Sequence, residues 1–127
     1  MSAGMGVKAD ELKERCAVFA ERVVALVRQL PASPEGRRVG GQLLDAATSV
    51  AANYRAACRA RSRAEFIAKI GVVVEEIDES EFWLSFLIRT GIASDSMVRP
   101  LLDEANQLLR IFVTSHKTAS VRSRTHQ

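Results

Sequence analysis

The sequence predicts an all-α protein, an up-down-up-down four-helix bundle, and three observations carry that reading. From Asp10 onward, apolar residues recur in alternating steps of three and four, the spacing that lines one face of a helix. Turn signals interrupt the pattern at Leu30–Pro34, around Ser62 and at Gly91. No stretch alternates polar and apolar residues between hairpin signals, so nothing is available to build a sheet. A chain of 127 residues suits one domain. Four long helices with short connections then pack as antiparallel neighbours. The expected boundaries are a flexible N-terminus over residues 1–9, the bundle over 10–117 and a flexible basic tail over 118–127.

In the first helix the stripe is Leu12, Cys16, Phe19, Val23, Leu26 and Leu30. Leu30-Pro-Ala-Ser-Pro34 ends it, and Ser33 can cap the second helix with Pro34 at its first position. Leu43, Ala47, Val50, Tyr54 and Ala57 continue the pattern there, among alanines that favour helix and let a neighbour approach closely. Ser62-Arg-Ala-Glu65 has the form of a capping box, in which serine and glutamate satisfy each other's end donors. The third helix carries the strictest heptad: Phe66, Ile70, Val73, Ile77, Ser80, Leu84 and Leu87. Gly91 is a natural stop, and Ser94 or Ser96 can start the fourth helix. Val98, Leu101, Ala105, Leu108 and Phe112 carry its stripe, with Pro100 in its first turns or at a kink.

Composition narrows the function classes without choosing one. A hydrophobic fraction of 47% excludes a disordered chain. A net charge of +3 permits an acidic partner without requiring it. No apolar run approaches ~18 residues, so no membrane span is expected, and Met1–Lys8 lacks the features of a signal peptide. The expected location is the cytoplasm. Cys16 and Cys58 sit in apolar stretches without metal-ligand spacing and read as buried thiols in a reducing compartment, a disulfide between two helices being the other possibility.

Common chemistries lack their residues. Di-metal centres in bundles need Glu-x-x-His pairs, but neither His116 nor His126 has a glutamate three residues before it. Zinc spacing, a glycine-rich phosphate loop and a G-x-S-x-G elbow are also missing. No metal or other cofactor is expected. The acidic run Glu75, Glu76, Asp78, Glu79 and Glu81 reads as a solvated face, with one exception. Glu76 shares a stripe with Lys69 and Trp83 beside the heptad, which suggests a structural carboxylate paired with Lys69 or Asn53 at a helix or subunit contact.

Two sets of residues could act on nucleic acid. Arg110 and His116 match the loose Arg-x(4–6)-His spacing of small helical ribonucleases of the HEPN type. There an arginine would stabilise a phosphorane and a histidine would move a proton. The plainer account is a histidine favoured by the helix dipole. Arg55, Arg59, Arg61 and Arg63 form a denser group, with no acid between Asp45 and Glu65, and Lys117, Arg122 and Arg124 add a basic tail. Helix-end charge or phosphate contact would each explain them. Apolar residues outside the main stripes, namely Val18, Val24, Val27, Phe82, Trp83 and Phe86, exceed what one bundle interior needs and suggest an oligomer.

Three segments resemble a known family. They are Gln42-Leu-Leu-Asp-Ala-Ala-Thr-Ser-Val-Ala-Ala-Asn-Tyr-Arg55, Ser62-Arg-Ala-Glu-Phe-Ile-Ala-Lys-Ile70 and Glu76-Ile-Asp-Glu-Ser-Glu-Phe-Trp-Leu84. Together they resemble the 23S rRNA intervening-sequence proteins, a family that includes the accessory variability protein of diversity-generating retroelements. The resemblance implies a bacterial cytosolic protein in a homopentameric ring, with a basic surface toward RNA or DNA and, in the retroelement branch, a reverse transcriptase partner. It implies no catalytic residues. Ala56 stands where that family commonly has glutamate, and Glu75 where it commonly has lysine. The expected function is a non-enzymatic oligomeric adaptor for nucleic acid or a nucleic-acid enzyme. The alternatives are a metal-independent ribonuclease using Arg110 and His116, or a purely structural interaction ring.

Overall fold

The computed structural model describes the backbone of residues 3–125 and the side chains of residues 8–122. Four helices account for nearly all of it: α1 (Ala3–Arg28), α2 (Pro34–Cys58), α3 (Arg63–Thr90) and α4 (Asp95–Thr125). No strand occurs among the described residues. The order around the bundle follows the chain, each helix packing on the next and α4 returning to α1 along the thinnest seam. Among the described residues the backbones of the diagonal pairs α1/α3 and α2/α4 stay more than 8 Å apart, Cα to Cα, and diagonal helices meet only through side chains.

Local chemistry sets the helix ends. The Gly36 N–H donates to Ser33 Oγ at 3.1 Å, and Pro34 occupies the first turn of α2. At the start of α3, the Glu65 N–H donates to Ser62 Oγ at 3.1 Å. The expected capping box is only half made, because the Glu65 carboxylate faces Arg61 at 4.0 Å instead of returning to the Ser62 backbone. Gly91 closes α3 in the left-handed region at φ 73° and donates to the Ile88 carbonyl, a conformation that is costly for any residue with a Cβ. Ser94 caps α4, accepting from the Met97 N–H at 3.3 Å. Pro100 lies inside that helix.

The core consists largely of the predicted stripes, joined by Val39, Ala93 and Leu102, while Leu12, Leu30 and Phe66 of those stripes lie partly buried at its edge. Cys16, Phe19 and Val23, the α2 set from Leu43 to Ala57, Ile70 to Leu87 and Val98 to Phe112 all meet in one buried cluster. Tyr54 and Phe112 contact each other across the middle with ring centroids 5.0 Å apart. Ser80 is the buried polar residue of this core, its hydroxyl donating to the Glu76 carbonyl one turn back.

Two features lay outside the apolar pattern. On the α1/α4 seam, Arg15 forms a two-pronged bond with Glu104, Nε to Oε2 at 3.1 Å and Nη2 to Oε1 at 2.7 Å. The helical boundaries are also wider than 10–117: α1 begins at Ala3, and α4 continues to Thr125. No glycine or proline lies between Lys117 and Gln127 to stop the helix, and Ala119 and Arg122 line a hollow with Arg63 and Phe66 of the start of α3.

Candidate nucleic-acid interface

The end of the bundle where α2 stops, α3 starts and α4 finishes holds the basic residues. Arg55 lies in the last turn of α2 and Arg59 is its C-cap; Arg61 lies in the connection and Arg63 opens α3. All four are exposed, as guanidinium groups at a helix C-terminus should be.

Their surroundings divide them. Arg55 and Arg59 line a groove of about 680 Å³ between α1 and α2, floored by Ala17, Ala51 and Ala52. Asp10 and Glu14 line the same groove from α1, with Lys13 beside them. These two arginines therefore face carboxylates that a count along α2 does not include. Arg61 approaches Glu65 only loosely and its side chain is 91% exposed. Arg63 faces the other way, into a hollow shared with Phe66, Ala119 and Arg122. Lys117 is exposed on α4; the side chain of Arg124 lies outside the described residues. The extension of α4 is what brings Arg122 to Arg63.

The expected pairing of Glu76 is not made within the chain. Asn53 instead donates to its own helix, to the Ser49 carbonyl at 3.0 Å and to Ser49 Oγ at 2.9 Å. Lys69 lies two helical turns from Glu76, about 10 Å along the axis and too far for contact. Glu76 is half-buried, and its carboxyl is raised above the ordinary value by burial first and then by Glu79 and Glu75. Within the acidic run of α3, Glu81 does bridge helices: the Asn106 amide nitrogen of α4, in the orientation that satisfies it, donates to it at 3.2 and 2.5 Å.

Trp83 is half-buried, its ring edge-on to Phe82 and Phe86 with centroids 4.9 and 5.8 Å away. Its indole N–H is buried without a partner among the described residues. Phe82 is the exposed member at 56%, stacked on Phe86. Among the other off-stripe residues, Val18 is exposed, while Val27, Trp83 and Phe86 pack on the core edge of the single bundle. The unpartnered apolar face is therefore narrower than the sequence suggested and centres on Phe82.

Arg110 and His116 are not brought together. Arg110 is exposed, whereas His116 is half-buried with its ring over α3, where a Cβ at Gly71 would lie 3.5 Å from Nε2. Six residues place them about a third of a turn out of phase, and no hydrogen bond joins them among the described residues.

Cys16 is fully buried, its thiol pushed up to about 12 chiefly by burial. Cys58 is half-buried, and both cysteines are free. Burial also raises the Tyr54 hydroxyl, with Cys58 nearby. Among the described residues, no three His, Cys, Asp or Glu side chains gather to hold a metal ion. No helix there is long and apolar enough to cross a membrane.

Comparison with known proteins adds two findings. Residues 9–114 match the family model described as 23S rRNA-intervening sequence protein. A crystal structure of a protein of unknown function from the S23 ribosomal protein family of Bacteroides thetaiotaomicron is 30% identical to this chain, with a TM-score of 0.77. That match covers 83% of this chain and 97% of the other. No curated protein matches the chain significantly.

Proposed function

The chain belongs to the 23S rRNA-intervening sequence protein family, and from that premise we propose that it is a non-enzymatic oligomeric adaptor that binds nucleic acid at its basic end. The observation that carries this reading is the convergence of arginines from the α2–α3 connection, α3 and α4 on one end of the bundle. Phosphate backbones reward such clustering, since each cation that meets a phosphate releases a counterion. A nucleic-acid enzyme, such as the reverse transcriptase of the retroelement branch, would meet the nucleic acid held at that end. The cytoplasm suits the two free cysteines.

The adaptor is proposed to be a ring of identical copies, most simply a pentamer. Support comes from the aromatic group Phe82, Trp83 and Phe86, in which Phe82 is 56% exposed and stacks on the half-buried Phe86 beside Trp83. Repetition around a ring would multiply weak phosphate contacts. The separation of Arg110 from His116 favours binding over cleavage.

Fluorescence-anisotropy titration of labelled RNA and DNA across a salt series tests the reading, with parallel incubation of RNA in EDTA. The expected result is binding that weakens steeply with salt, with the RNA left intact. Cleavage in EDTA would favour the ribonuclease, and no binding at low salt would leave a structural ring.

A further inference from the structure

Phe66 belongs to the heptad of α3 and was expected in the core, yet it is only half-buried. One side packs against the core cluster, and the residue also lines the hollow between α3 and α4. Arg63 lies one turn before it on α3. On α4, Ala119 and Arg122 have the same three-residue spacing, so each helix contributes one arginine to the hollow. Ala119 contributes only a small side chain to the lining that it shares with Phe66. The hollow measures about 320 Å³, at the lower end of small-ligand pockets, ~300–1,000 Å³. Among the described residues that line it none is acidic, and the N-terminus of α3 adds partial positive charge beside Arg63.

We infer that this hollow is a stacking site for one unpaired nucleotide of a single strand, the base lying on Phe66 and its phosphate held by Arg63 and Arg122. An aromatic ring accepts any base by its π-face, and two guanidinium groups suit the flanking phosphate. Bases inside a duplex are already stacked and cannot reach Phe66, so the site selects unpaired strand over duplex. This inference rests on the nucleic-acid reading above and specifies its substrate class.

The test compares oligo-dT, oligo-U and a blunt duplex of equal length, binding to wild type, F66L and A119L by anisotropy. F66L keeps an apolar side chain against the core but removes the ring, and A119L fills the hollow while leaving Phe66 in place. Both variants should lose about tenfold or more in affinity for dT and U. Their duplex affinity and salt slope should not change, because no charge has been altered. Single-strand binding equal to wild type in both variants would overturn the stacking site, as would equal losses on duplex. Equal wild-type affinity for strand and duplex overturns it too, while leaving the nucleic-acid reading intact. Wild type that binds none of the three at low salt overturns that reading and the site with it.

Discussion

A half-buried carboxylate with no cation paired to it among the described residues carries a cost that depends on pH. Glu76 has its folded-state carboxyl raised above the ordinary 4.5 by burial and by two neighbouring acids. The unfolded chain therefore ionises first as pH rises, and the native state loses relative stability through that window. Glu76→Gln should melt slightly above wild type at pH 7, within ~0.5 kcal/mol, and equal to it near pH 4. Thermal melts at both values check this, and a lower melting point at pH 7 would show that the carboxylate has a partner after all. Arg15 and Glu104 present the opposite case, a two-pronged pair with side chains 36% and 19% exposed. Partial solvent screening keeps its expected coupling to about 1 kcal/mol, between surface and buried pairs. A double-mutant cycle with Arg15→Gln and Glu104→Gln measures it; zero coupling would mean that the α1/α4 seam does not depend on the pair.

At the scale of elements, capping and periodicity determine most of what is seen. Gly91 sits at φ 73°, so Gly91→Ala should cost ~1–2 kcal/mol in chemical denaturation; no loss would show that the α3–α4 connection can relax. The helices were legible because a buried stripe repeats with the helical period whatever it packs against. Every α3 position from Ile70 to Leu87 in the predicted heptad is fully buried. The end of α4 was not legible, since Thr118 to Thr125 carries little apolar signal, and the hollow that Ala119 and Arg122 share with α3 is a contact between distant segments. Phe66 kept the heptad spacing but lies at the helix start, where the bundle leaves it half-covered. Contacts between distant segments also lay beyond reach. Asp10 and Glu14 share a groove with Arg55 and Arg59 only because α1 and α2 are antiparallel neighbours, and nothing in α2's own charge pattern records that.

For the whole molecule, the account predicts assembly through Phe82 and binding through the arginine end. Phe82→Glu should disperse the ring with little change in the fold of each copy, because Phe82 is 56% exposed whereas Trp83 is half-buried against the core edge. Light scattering should find the variant near 13.9 kDa and wild type several times heavier; wild type at the monomer mass would remove the assembly from the account. The central claim concerns where phosphate binds, and the two grooves make it separable. Arg55 and Arg59 share theirs with Asp10 and Glu14, whereas the hollow of Arg63 and Arg122 has no acid among the described residues of its lining. The direct measurement is the slope of log affinity against log salt for wild type, R63Q/R122Q and R55Q/R59Q with a labelled single strand. R63Q/R122Q should bind more weakly and flatten the slope by about 0.7, the value for one lost phosphate contact on a single strand, while R55Q/R59Q changes both less. Equal slopes in all three proteins, or the larger loss in R55Q/R59Q, would contradict the account.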